Sequence, residues 1–117
     1  WKTQAMREGQ RIKELRIPNK MQGVVDLYDC SDDWIPIYDK SDLPGFYMAV
    51  GTSGNQYKNA PVAGVLMAEL IEKVKPGHDH DADPVKFPMK YTGRICDIGF
   101  YSRLREINPD SSFSVIG

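Results

Sequence analysis

The chain has 117 residues, with 15 basic and 16 acidic side chains and a net charge of −1. A balance that near neutral gives no long-range field to recruit nucleic acid or an anionic membrane, and no apolar run approaches the ~20 residues that a membrane-spanning helix needs. Two cysteines, Cys30 and Cys96, are too few for a disulfide scaffold and have no metal-ligand neighbours at useful spacing. With no signal peptide at its start, the expectation is a cytoplasmic protein with reduced thiols.

Residues 2–16, KTQAMREGQRIKELR, have the charge density of a helix, with Met6, Ile12 and Leu15 as sparse apolar positions. Gly9 costs that helix about 1 kcal/mol relative to alanine. Pro18 ends it, because the residue before a proline is held in extended backbone. Residues 23–28, GVVDLY, predict a strand from their adjacent valines and alternating Asp26 and Leu27. A polar turn at 29–33 leads to a second extended run at 34–38, where Pro36 argues for an edge or crossing segment. Asp32 and Asp33 are adjacent, so on an extended chain they point apart and make no carboxylate pair.

After a turn at 39–45, residues 46–50, FYMAV, lack polar alternation and predict a strand covered on both faces. The strand stops at Gly51-Thr52-Ser53-Gly54, where the glycines permit backbone that a side chain would forbid. Residues 55–59 make a polar crossing. Pro61 then sits in a first helical turn, where a missing N–H costs nothing. Residues 62–74 read as a helix, apolar on most sides, with Glu69, Glu72 and Lys73 on its wet edge. Tyr28, Trp34 and Phe46 are expected as core aromatics. Ser53 has no acid or base partner at a spacing that suggests nucleophilic catalysis.

Residues 75–84, KPGHDHDADP, have no apolar face and predict a loop. His78, Asp79, His80, Asp81 and Asp83 have the chemistry of metal ligands. They are crowded into a polar segment with nothing to orient them, so the expectation is a mobile, metal-free loop. Residues 85–89 form a short extended piece, and Asp97 is placed to cap a helical turn through 98–106. Arg103 and Arg105 read as a solvated basic face. Residues 108–112 make a turn, and 113–116 an apolar hook.

Strand, glycine turn and helix N-terminus together form a place where backbone amides converge on an electron-rich ligand. The pattern alone equally allows a tight connection that binds nothing. The residues also resemble the carboxy-terminal flavin-binding segment of the D-amino-acid oxidase / sarcosine oxidase superfamily of FAD-dependent oxidoreductases. Members carry a strand, a motif close to G-x-S-G-H-G-F-K-x-A-P, and a helix rich in Gly, Leu and Ala. Gly51, Ser53, Gly54, Lys58, Ala60 and Pro61 match it, with Tyr57 in the Phe place. Upstream, residues 28–37, YDCSDDWIPI, resemble the family's Y-D-x-T-P-D-W-x-P-I, joined by a similar spacer to L-P-G-F-Y. The resemblance covers residues 23–74 well, and the tail from 91 to 117 resembles the extensions of some members.

The resemblance implies an α/β fold, with the chain as the carboxy-terminal part of a two-domain, Rossmann-like flavoenzyme. The amino-terminal G-x-G-x-x-G fingerprint of such enzymes does not occur here, and the chain opens at Trp1, so a fragment of a longer parent is expected. Its parts would be a helix and linker at 1–22, the flavin-binding segment at 23–74 and an extension at 75–117. By resemblance, FAD is contacted by Gly51, Thr52, Ser53, Gly54, Asn55, Gln56 and Lys58. Lys58 would also hold the substrate carboxylate, and no catalytic residue is assigned. The parent would oxidise a C–N bond of an amino acid or N-methylated amino acid. Asn55 and Gln56 depart from the family's His and Gly. Expected partners are the small-molecule substrate and the missing amino-terminal part, with self-association of the isolated piece. The contrasting reading is a non-catalytic interaction module whose glycine turn is purely structural.

Overall fold

A computed structural model of the chain describes residues 2–16, 19–20, 22–54 and 56–114. Helix α1, Lys2–Gly9, buries none of its residues and gives way to turns at Gly9, well short of the expected Arg16. With none of its residues buried, little tertiary support offsets the glycine, and a short helix without such support is marginal in water. Residues 23–28 form no strand, and Val24, Val25 and Leu27 are exposed. Their β-propensity is there, but among the described residues no neighbouring strand pairs with them.

Strands β1, Ile37–Lys40, and β2, Tyr47–Val50, form an antiparallel pair in the register Ile37 to Val50. Their connection is closed by Ser41 N–H donating to Phe46 O at 2.8 Å, with Gly45 at φ 81°. The expected two-sided strand at 46–50 is therefore one arm of a two-stranded ribbon, half-buried at Tyr47 and Met48 and exposed at Ala49 and Val50. A 3₁₀ turn, Gln56–Asn59, runs directly into helix α2, Ala60–Val74, with proline in its first turn as expected. α2 lays Leu66 and Leu70 onto β1, while Val62 and Val65 stay half in solvent.

A second antiparallel pair joins β3, Lys86–Pro88, to β4, Ile95–Asp97. Asp97 does cap the next turn, accepting from Gly99 N–H at 2.9 Å. That 3₁₀ turn ends at Tyr101 rather than running on to 106, because Ser102 is already extended. The core is Tyr38, Leu66, Leu70, Val85 and Ile98, with Ile98 N–H donating to Val85 O. The chain is a small mixed α/β fold of two short antiparallel sheets and two helices among the described residues.

Polar contacts do much of the remaining organisation. Asp33, 1% exposed, receives Arg105 on both oxygens, Nε at 3.1 Å and Nη2 at 2.6 Å. Ile35 N–H and Asn108 N–H join it, and Ser111 Oγ donates to the Asp33 carbonyl. Asp39, fully buried, takes Ser102 Oγ, Arg103 N–H and Arg103 Nη1 on one oxygen. Arg103 also reaches Asp42 and Asp81, and Lys40 reaches Asp81 at 2.5 Å. Two expectations are corrected by this. Arg103 and Arg105 are not a solvated face but mostly enclosed ion-pair partners, and the 75–84 loop is not a loose polar segment but is tied down through Asp81 and a buried His80.

The Asp33–Arg105 pair gives a direct test. Arg105→Ala leaves an enclosed carboxylate without its cation, which should lower stability by about 3 kcal/mol in urea unfolding at neutral pH. Hydrogen bonds from Arg105, working against desolvation, hold the Asp33 carboxyl well below the usual carboxylate range. A folded-state value below the unfolded one means stability that is present above about pH 4 and lost as pH falls further. Wild type should therefore lose stability from pH 4 down toward 2, and Arg105→Ala should show a clearly shallower loss.

Candidate functional site

The glycine turn is built around Asp29. Gly51 N–H donates to Asp29 Oδ2 at 2.9 Å, Thr52 Oγ1 donates to the other oxygen, and Ser53 N–H donates to the Asp29 carbonyl at 3.1 Å. The Thr52 hydroxyl, then the Thr52 backbone, lower the Asp29 pKa. Gly51, Ser53 and Gly54 have φ of 69°, 51° and 78°. Such a run of left-handed backbone is strained at the serine and needs outside support, and the carboxylate supplies it. A Cβ at Gly54 would lie 2.8 Å from the Tyr28 ring, and one at Gly51 would lie 3.2 Å from Ser31 Cβ. The two sequence motifs, Tyr28-Asp29 and Gly51-x-Ser53-Gly54, thus meet face to face.

This placement sorts the predicted residues. Gly51 and Ser53 are buried, and their amides turn inward to Asp29 rather than out to a ligand. The room that Gly54 leaves is taken by Tyr28 of the same chain. Thr52, Gly54 and Gln56 line a largely apolar, open cleft of about 530 Å³, flanked by Tyr57, Gly64 and Met67. Lys58 is exposed in the 3₁₀ turn beside that cavity and outside its wall. Asn55 lies outside the described residues.

A second cavity of about 370 Å³ shares Tyr38, Gln56 and Ala63 with the first and is walled by Trp34, Tyr101 and Ser111. Tyr38 and Tyr101 stack at 5.0 Å between ring centroids, and burial raises both phenol pKa values, so each hydroxyl is a neutral donor near pH 7. Tyr38 gives its proton to Gln56 Oε1 at 3.2 Å, and Asn59 Nδ2 donates to the same oxygen at 2.9 Å. Gln56 departs from the family pattern, yet its amide stands on the boundary between the two cavities.

Sequence reasoning passed over Asp29 and Asp39, set Asp33 aside as half of no carboxylate pair, and read Arg103 and Arg105 as solvated. Asp29 and Asp33 carried a signal, since both are residues of the upstream motif; Asp39 and the two arginines carried none, because their partners lie far along the chain. Among the described residues, no three His, Cys, Asp or Glu side chains are grouped to hold a metal ion, and no helix is long and apolar enough to cross a membrane. No family model, curated protein or solved structure matches the chain.

Gly54 tests the contact between the motifs. Gly54→Ala meets the Tyr28 ring and a positive φ at once, and should destabilise by about 1–3 kcal/mol. In a Tyr28→Ala background only the backbone strain remains, so the same substitution should cost visibly less. Thermal unfolding of the four proteins gives the coupling; additive losses would deny the contact.

Proposed function

We propose that the chain is the carboxy-terminal part of an FAD-dependent oxidoreductase acting on an amino acid or N-methylated amino acid, with a Rossmann-like parent. The observation that carries this reading is the meeting of the two family-like motifs through Asp29 and Tyr28. The β1–β2 pairing brings the two segments together, and the side chains that make the contact, Tyr28 and Asp29, are themselves residues of the upstream motif.

The fit to a flavin is selective. The amides of Gly51 and Ser53 do not fit it, being satisfied within the chain. The cavity wall of Thr52, Gly54, Gln56 and Tyr57 does fit the edge of a planar ring by shape, with small or flat apolar groups, while the Thr52 hydroxyl is already given to Asp29. FAD, when bound, supplies the hydride acceptor. With FAD bound, this chain's residues would hold: Thr52, Gly54, Gln56 and Tyr57 would wall the ring edge, while Lys58, on an exposed turn at the rim, would bind the substrate carboxylate as a cation.

The surface supports a larger assembly. The accessible area is 9354 Å², where a compact monomer of this mass exposes about 6,400 Å². Val24, Val25, Leu27, Phe46 and Val65 are among the exposed apolar groups. An amino-terminal part of the parent is the cover this reading assigns to them. The second reading, a non-catalytic module, is favoured by one observation: Asp29 and Tyr28 account for every special feature of the turn without a ligand.

Expression with the upstream coding sequence separates the two. A flavoenzyme should co-purify yellow with FAD; a colourless, folded product would leave the module. In the yellow protein, Lys58→Met should retain FAD while losing about 0.2–1 kcal/mol in substrate carboxylate binding, the range of an exposed ion contact. Stopped-flow flavin reduction at low amino-acid concentration should slow accordingly, and amines without a carboxylate should be affected less.

A further inference from the structure

His80 is 1% exposed, and its Nε2 is the buried side-chain nitrogen without a hydrogen-bond partner among the described residues. The other ring nitrogen, Nδ1, accepts from Val85 N–H at 3.0 Å. An acceptor at Nδ1 fixes the tautomer, so the neutral ring carries its proton on Nε2. That nitrogen faces Asp39 Oδ1 at 3.7 Å, beyond hydrogen-bond distance. The charged and titratable groups around the ring come from three places. Asp39 and Lys40 belong to β1, His78 and Asp81 to the ring's own loop, and Arg103 to the tail that grips Asp39 and Asp81.

We propose that His80 is an acid-sensitive latch, whose second proton expels the Val85 amide from Nδ1 and opens the 78–85 loop, slackening the tail that Asp81 holds through Arg103. In the imidazolium both ring nitrogens are donors. Nδ1–H would then confront Val85 N–H at a donor-to-donor distance of 3.0 Å, which is repulsive. The ring cannot satisfy both contacts in place, because Asp39 lies on the Nε2 side and Val85 on the other. Val85 is itself in the core, and its carbonyl accepts from Ile98 N–H at the end of the β3–β4 pair, so displacing its amide disturbs that end of the sheet.

The direction with pH follows. Burial, the largest influence, holds the closed-state His80 below its ordinary 6.5; Asp39 and Asp81 pull it up, and His78 and Lys40 push it down. The open loop returns the ring to water and the ordinary value. Protons therefore favour the open form, and the closed form is complete above pH 6.5. Below that, opening should grow about tenfold for each pH unit until the closed-state value is reached. The inference stands apart from the flavin reading, since it uses none of its residues.

Hydrogen–deuterium exchange of the 117-residue chain between pH 7.5 and 5.0, corrected for the intrinsic rate at each pH, tests it. The peptide containing the Val85 amide should lose protection about tenfold per pH unit below 6.5, while the Leu66–Leu70 part of α2 holds. His80→Gln offers an oxygen to Val85 N–H and never titrates, so its profile should be flat. His78→Gln should behave like wild type. A flat wild-type profile, an equal loss in α2, or the same loss in His80→Gln would each overturn the latch. Should His80→Gln fail to fold, the His80 ring titrated by NMR in wild type decides instead: a midpoint below 6.5 supports the latch, and one at or above it overturns it.

Discussion

A carboxylate shut away from water must be answered by donors or cations, and two such carboxylates, Asp33 and Asp39, dictate the path of the tail. Each is almost fully enclosed and each is met by an arginine from the region after Tyr101. The apolar core is too thin to do this alone, with five buried hydrophobic residues to hold two separate sheets and α2. Breaking such a pair is costly even where forming it adds little net stability, so its main effect is to select one arrangement. Here that arrangement places the tail across the Asp33–Ile35 corner and holds the loop after α2 against β1. His80 is caught inside this polar joint, which explains a buried, half-satisfied imidazole in a protein of modest core.

The glycine turn repeats the same logic on a smaller scale. Its left-handed backbone is unfavourable, particularly at Ser53, and it persists because Asp29 satisfies the amides and hydroxyl that point inward. Pre-forming a turn this way has two consequences. It removes the inward amides and the Thr52 hydroxyl from any ligand, and it leaves the turn's remaining surface as part of a cavity wall. Both readings of the turn, structural and ligand-holding, rest on that one carboxylate.

What remains uncovered is as orderly as what is packed. The outer side of α2 and the stretch at 23–28 carry exposed valines and a leucine, more apolar surface than scattered single residues would give. The stretch at 23–28 has the composition of a strand and lacks only a ladder to join. Strand formation depends on a neighbour in a way that helix formation does not, because every backbone bond of a strand is made to another segment.

By its own pattern the sequence determined α2 almost to the residue, the turn at Gly51–Gly54, the cap at Asp97 and the short extended piece after Pro84. Each depends on neighbours within a few positions: Pro61 at a helix start, a left-handed glycine, a side chain reaching the second amide onward. Tertiary structure decided the rest. Whether residues 46–50 lay inside a sheet or at its edge turned on β1, and whether α1 continued past Gly9 turned on burial that the helix does not gain. The roles of Asp29, Asp33, Asp39, Arg103 and Arg105 were invisible for a single reason. A charged residue in a polar stretch reads as solvated until folding brings its counter-charge from far along the chain, and local spacing holds no record of that partner.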